Sequence, residues 1–478
     1  MKKNWYCCLA LLAWLNTALA AHPDQHDINT FLRQHQLPAN SLTLVTLPLP
    51  GNSHSNGISY NASHAVNPAS LIKLVTTYAA LELLGPDYQW QTELLADGQQ
   101  NGTTLEGNLY FRAGGDPRLS LERLWLLLRE LKLQGIRHIE GDLILDDSFY
   151  LYPQQSGYQD SQGNRYRPYM VEPSSLLINF NSQHFRVTGT SNGATIISDP
   201  PIDSVSIDNR VKVLPQGNCN GRKSIVYHPQ YSNGLASMRI SGSIPRGCST
   251  SRYFSLLPHE RYAADTIHSI WQGMGGSISG QLMSGNIAGQ LDSLATLPSV
   301  TMSEVIRDIN KFSNNAMAKQ LFLTIGAEHR NGIAPDDQQM ARTTINSWWA
   351  SKGLDANGLA IINGSGLSQQ ARLNAQQLAS MLAGASQSPF YPELASSLPI
   401  VAIDGTMRDR LKHSQVQAQA RIKTGTLRNV RAIAGYVRDK DANPWVIVAI
   451  INHEKMQLPL DVLDSLLETL YLQQPAKQ

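Results

Sequence analysis

The chain has 478 residues, 42% of them hydrophobic, enough for two or three domains with cores of their own. Its formal charge is +2, and without Lys2 and Lys3 the cations and anions stand at 37 each. A neutral chain of this kind offers no electrostatic case for a nucleic-acid partner.

Met1-Lys2-Lys3 is a basic start, Trp5 to Leu15 is an apolar run too short to span a bilayer, and Ala18-Leu19-Ala20 has the small-x-small form of a cleavage site. Residues 1–20 therefore read as a signal peptide for export, with Ala21 near the mature start. No later apolar stretch is long enough to cross a membrane. Of the four cysteines, Cys7 and Cys8 fall in this leader and lack the setting of a lipoprotein cysteine. Cys219 and Cys248 remain, and in an exported protein a disulfide between them is expected in preference to free thiols. They leave no zinc-type cluster, and no metal or organic cofactor is called for.

In chain order, 27–37 has helical spacing, with Ile28, Phe31, Leu32 and Leu37 on one side. Residues 41–46 alternate as a strand, and a Gly/Asn/Ser-rich turn leads to a second strand near 58–62. Pro68 then opens a helix whose apolar residues run from Leu71 to Leu83, and Gly85-Pro86 ends it. Asn108–Phe111 reads as a strand, 119–133 as a Leu-rich helix, and Gly141–Asp147 as a strand with an acidic end. Between 170 and 255 short strand-like runs such as 194–197 and 237–240 are separated by Gly, Pro, Asn and Ser, the pattern of a small all-β unit holding both cysteines. A helix is expected over 259–274, more helices around 303–325 and 337–352, strands at 431–437 and 445–451, and a terminal helix over 459–472. The 445–451 run is apolar throughout, as a central strand is. The acidic terminal helix suits packing on a sheet better than lying on a membrane.

Three short motifs carry the chemistry. Ser70 and Lys73 sit one turn apart on the same helix face, so the hydroxyl and amine can meet over the positive end of the helix. A serine attacks only when a base takes its proton, and a lysine serves as that base only when neutral. Burial and a second cation, Lys423, would lower the pKa of Lys73 from about 10.4. Ser313 can relay a proton, and Asn315 can orient Lys73 and a substrate carbonyl. Lys423-Thr424-Gly425-Thr426 should be an edge strand that pairs with an extended peptide. There Gly425 gives room, Lys423 with Thr424 or Thr426 holds a terminal carboxylate, and the N–H groups of Ser70 and Thr426 face the oxyanion. Alone, each motif reads as a surface pair, a helix cap or a turn; together and in order they read as a site. The 13 histidines form no His-Glu-x-x-His motif, and Gly364-Ser365-Gly366-Leu367-Ser368 has the wrong spacing for a nucleophile elbow.

This set recurs in penicillin-binding proteins and class A β-lactamases. With Gly114-Gly115-Asp116-Pro117, Gly141–Asp146, Gly364–Ser368 and Asp404-Gly405-Thr406, the chain resembles the low-molecular-mass class C penicillin-binding proteins, D-alanyl-D-alanine carboxypeptidases/endopeptidases of the DacB type. The resemblance implies an α/β fold: a serine β-lactamase/transpeptidase-like helix–sheet–helix domain, split as 21–90 and 290–478. An α/β insertion at 91–169 and 256–289 would interrupt it and carry a nested β-rich subdomain at 170–255. It also implies a periplasmic enzyme that trims peptidoglycan stem peptides and cleaves cross-links through acyl-Ser70, with β-lactam antibiotics as covalent inhibitors. In relatives an aspartate of the insertion binds the substrate's free amine; Asp146 matches by motif position and Asp147 is its neighbour. Asn363 and Arg428-Asn429 depart from the usual pattern, the latter near the groove. A serine β-lactamase would need a deacylating glutamate between the second and third motifs, and Glu172 precedes Ser313. A non-catalytic cell-wall peptide sensor would have no reason to keep Lys73, Ser313 and Asn315.

Overall fold

The strand Pro444–Asn452 uses both of its faces. Val446, Val448 and Ile450 enter the core that holds the Ser70 helix, and Ile447, Ala449 and Ile451 enter a second core on the other side. In the computed structural model, which describes residues 25–52, 57–153, 166–219, 224–287, 291–332, 334–453 and 458–472, this strand is third in a five-stranded antiparallel sheet. The order is Ala420–Leu427, Val430–Arg438, Pro444–Asn452, Leu42–Pro48, Ser59–Tyr60. Double burial explains why the sequence shows an unbroken apolar run there rather than alternation. The expected leader over 1–20 lies outside the described residues, among which no helix is long and apolar enough to cross a membrane.

One face of the sheet is covered by the helices Gln25–Gln34 and Asp464–Leu472, which bury Ile28, Phe31 and Leu32 together with Leu466 and Leu467, and by Val462 and Leu463 in the turn before the second helix. The acidic terminal helix thus packs on the sheet as expected. The other face carries Ile72–Leu84, Met302–Phe312, Asn315–Glu328, Asp337–Ser351 and Ala375–Ala385. Both Ile72–Leu84 and Asn315–Glu328 are buried almost all round, so they are the inner helices of this layer.

Between Leu84 and Thr301 the chain forms other sheets. A five-stranded sheet runs Leu282–Ser284, Leu143–Asp146, Leu109–Ala113, Gln91–Ala96, Asp292–Pro298, flanked by the helices Leu121–Leu133 and His259–Gly273. Six further strands between Gln183 and Phe254 make two three-stranded sheets. Cys219 and Cys248 are joined there as a disulfide. Phe185, Met238 and Ile240 share one core with Leu94, Phe111 and Leu127. The β-rich unit is therefore fused to the α/β insertion and has no separate interior.

Two boundaries differ from those expected. Asp292–Pro298 pairs antiparallel with Gln91–Ala96, so the return to the first layer falls not at 290 but at Thr301, whose hydroxyl and Glu304 form a capping box. Val171, Ser174 and Leu177 lie against the helix Asn315–Glu328, and the β-rich sheets begin at Gln183.

Candidate active site

Ser70 sits in a 3₁₀ turn, Ala69–Leu71, that feeds the helix Ile72–Leu84. Asn67 ties the turn down: its Oδ1 accepts the Ala69 N–H at 2.9 Å, its Nδ2 donates to Ser368 O at 3.0 Å, and its own carbonyl accepts Asn452 Nδ2 at 3.1 Å. Ala69 is held at φ 48°, a left-handed conformation that costs a non-glycine residue about 1 kcal/mol or more. Two glycines leave room for this turn. A Cβ on Gly366 would lie 1.9 Å from Ala69 O, and one on Gly425 would lie 3.0 Å from Pro68 O. The expected room at Gly425 is thus taken by the Ser70 turn.

Lys73 is fully buried. Its Nζ lies 3.1 Å from Ser70 Oγ, 2.7 Å from Asn315 Oδ1 and 2.5 Å from Ser365 O. Burial, and then the charges of Lys423 and Lys319, hold its pKa well below the ordinary lysine value. Two of the three neighbours are pure acceptors. A neutral Lys73 therefore spends both N–H donors on Asn315 and Ser365 and is left with its lone pair toward Ser70. The Ser365 carbonyl was not legible in the sequence, because a main-chain acceptor leaves no residue signature; the flanking Gly364 and Gly366 were the only trace of a close backbone approach.

Ser313 and Asn315 stand at a helix–helix junction. Ser313 caps Met302–Phe312 in a left-handed conformation (φ 54°, ψ 40°), Asn314 caps the next helix through Met317 N, and Asn315 opens that helix. Ser313 Oγ accepts from Lys423 Nζ at 2.9 Å. The Ser313 hydroxyl, expected beside Lys73, is thus bonded to Lys423. Lys423 also donates to Thr424 O at 2.7 Å, and burial brings its pKa down to about 7.

Lys423 lies on Ala420–Leu427, an edge strand as expected. Its outer side is covered at one end only: Ala420 O accepts Val401 N–H at 3.0 Å and Ile422 N–H donates to Pro399 O at 2.8 Å. Antiparallel alternation turns the N–H and C=O groups of Thr424 and Thr426 to the same outer side, beyond the Pro399–Val401 cover. Thr424 Oγ1 bonds to Thr406 Oγ1 at 2.9 Å, and Thr426 is exposed.

Asp146, expected to meet a substrate amine, has a buried carboxylate. It ends a strand whose register sets it opposite Arg112, and its carboxylate is buried, accepting Ser148 N–H at 3.0 Å with Arg112 Nε at 3.7 Å. Strand pairing fixed that side chain inside the insertion, which motif position could not show. Asp147 is half-buried, and desolvation, then Glu260 and Asp146, raise its pKa. Glu172 Oε2 is 3.2 Å from Lys319 Nζ, so this carboxylate is paired across to the Asn315 helix.

Residues 25–467 match the D-Ala-D-Ala carboxypeptidase 3 (S13) family. The chain is 26% identical over 426 residues to the D-alanyl-D-alanine carboxypeptidase of Actinomadura sp. strain R39, covering 84% of this chain and 76% of that protein. It is 25% identical over 463 residues to D-alanyl-D-alanine carboxypeptidase DacB of Haemophilus influenzae, covering 95% and 94%. Its fold matches the crystal structure of penicillin binding protein 4 (dacB) from Haemophilus influenzae with a TM-score of 0.76 at 22% identity, over 93% of this chain and 99% of that one. The same Haemophilus protein complexed with a novel β-lactam matches at 0.72. The chain thus belongs to the D-Ala-D-Ala carboxypeptidase 3 (S13) family, the serine-type carboxypeptidases of the DacB kind, and is a hydrolase.

Proposed function

We propose that this protein is an exported, periplasmic D-Ala-D-Ala carboxypeptidase and D,D-endopeptidase that works through an acyl-Ser70 intermediate. The observation that carries the reading is the Lys73 nitrogen 3.1 Å from Ser70 Oγ, with Asn315 Oδ1 and Ser365 O placed to take its N–H groups and leave its lone pair for the serine. Lys73 takes the Ser70 proton as Oγ attacks the carbonyl of the penultimate D-Ala. The oxyanion forms between the N–H groups of Ser70 and Thr426. Ser313 gives its proton to the departing amine and is resupplied by Lys423, whose pKa of about 7 suits a proton carrier near neutrality. Water then hydrolyses the ester.

Lys423, Thr424 and Thr426 hold the terminal carboxylate, and a bound carboxylate in turn favours charged Lys423. The uncovered stretch of edge takes an extended stem peptide as an added strand, and an edge open outward also admits the longer leaving group of a cross-link. At the insertion side, Asp147 with Glu260 is the acidic pair left to meet a substrate amine. The disulfide supports export, since such bonds persist in oxidising compartments. A β-lactamase reading loses its candidate deacylating base, because Glu172 is paired with Lys319. The β-lactam complex of the Haemophilus relative supports penicillin as a probe.

Intact mass after incubation with benzylpenicillin tests the reading. Wild type should gain one penicillin and hold it, and Ser70→Ala should gain none. An unmodified wild type with intact penicillin would rule out Ser70 as the nucleophile, and rapid penicillin loss would restore the β-lactamase.

A further inference from the structure

The inserted part is bolted to the helix that opens with Asn315. Side chains on one side of this helix bind the segment Tyr169–Ser174 rung by rung. Asn315 Nδ2 donates to Tyr169 O at 3.2 Å, Lys319 Nζ donates to Val171 O at 3.2 Å and pairs with Glu172 Oε2 at 3.2 Å. Gln320 donates to Ser174 O at 2.6 Å and accepts Ser174 N–H at 3.1 Å. Val171 and Leu177 pack on Ala316 between these rungs. From behind, His259 meets Glu172 O at 3.0 Å.

The first rung bears on the chemistry. An amide has an acceptor end and a donor end, and Asn315 needs its oxygen toward Lys73. A half-turn of the amide would set Oδ1 against the Tyr169 carbonyl, which is repulsive, and would turn an N–H onto the Lys73 lone pair that Ser70 needs. The Tyr169 carbonyl therefore fixes which end faces Lys73, and its own place depends on the next rung, where the Lys319 side chain is 1% exposed. Lys319 is also a cation whose charge presses down the pKa of Lys73.

We propose that Lys319 is a positioning residue for the acylation step: through Val171 and Glu172 it holds the Tyr169 carbonyl against Asn315, so that the amide presents its oxygen to Lys73. The inserted part then contributes to proton abstraction as well as to any contact with substrate. This inference rests on the acyl-Ser70 reading. Its ground is the set of contacts at the inner end of the insertion, none of which involves the substrate.

The test compares Lys319→Met, Glu172→Gln and Lys319→Arg in the full chain. It measures the rate of benzylpenicillin adduct formation against pH, and kcat and KM for a soluble peptide ending in D-Ala-D-Ala. Circular dichroism checks that each variant is folded. Lys319→Met should slow acylation and kcat by about tenfold to a hundredfold with KM within about threefold, the size typical of a supporting residue. Its acylation midpoint should move to higher pH, because one cation near Lys73 is gone. Lys319→Arg, which keeps charge and donors, should recover most of the rate. If Lys319→Met fails to fold, Glu172→Gln, which removes the ion pair at constant size, should show the same loss of limiting rate. Folded variants with wild-type acylation rates and an unmoved midpoint would overturn the proposal. A wild type that forms no adduct would instead overturn the reading beneath it.

Discussion

At the scale of single residues, the site is a problem in keeping two lysines dry. Lys73 and Lys423 are both fully buried, and a buried ammonium is disfavoured by several kcal/mol unless it is paired or loses its proton. Among the described residues no carboxylate is bonded to either one, so the pKa falls, and in Lys73 the fall suits the proposed role of base. Two consequences can be measured. Over the range of its lowered pKa the neutral form of Lys73 should carry the wild-type acylation rate upward with pH, before loss of the Lys423 proton turns it down again. Stopped-flow reaction with a chromogenic β-lactam reads this; a rate that falls with pH over that range would mean Lys73 acts as a cation. Lys73→Arg, which keeps the charge and cannot give up its proton, should lose about 10²–10⁴ in acylation rate at every pH. Ser70, Lys73, Ser313, Asn315 and Lys423 were legible because they meet through side chains. Ser365 O and Tyr169 O were not, because any residue supplies a carbonyl.

At the scale of elements, the edge strand divides its labour along its length. Ala420 and Ile422 spend their outward groups on Val401 and Pro399, Thr424 gives its carbonyl to Lys423, and the outward N–H of Thr426 lies beyond that cover. Thr426→Pro removes one outward N–H and spares the ladder to Val430–Arg438, so an edge position can bear it. The expected result is a melting temperature within a few degrees of wild type and an acylation rate lower by about 10²–10³, the usual loss for one oxyanion donor. An unchanged rate would assign the oxyanion elsewhere. Element type was readable wherever periodicity was clean, as in the doubly buried 445–451 run. What sequence could not supply was partnership between elements. Asp146 looked like a free strand end, but the ladder placed Arg112 opposite it and turned the carboxylate inward. In the same way, Asp292–Pro298, expected in the first layer, pairs with Gln91–Ala96 in the insertion.

At the scale of the whole molecule, the seam between the two layers carries ionisable groups of its own, and they make stability depend on pH. His259 is buried behind Glu172, and desolvation, with Lys319 nearby, lowers its pKa to about 4. Above the unfolded value of about 6.5 the ring is neutral in both states and contributes no slope. Below it the unfolded chain binds a proton that the folded one refuses, so stability falls as pH drops from about 6.5 toward 4, by on the order of 3 kcal/mol. Asp116, raised to about 6 by burial, acts in the opposite direction over part of that range. The informative quantity is therefore a difference. His259→Gln, which keeps a donor for Glu172 O, should lose less melting temperature than wild type between pH 7 and pH 4.5. Equal losses would place the acid sensitivity elsewhere.

The way the motifs are strung along the chain also fixes when activity can arise. Lys73 meets Asn315 across 242 residues, and Ser313 meets Lys423 across a further 110. The Lys423 strand reaches the amino-terminal strand Leu42–Pro48 only through the two strands that follow it. Contacts this distant in sequence pay their loop-closure entropy late and form slowly. No partial product of synthesis holds more than a fragment of the site. A chain emerging from its ribosome is thus a latent hydrolase, and the last strands to arrive switch it on.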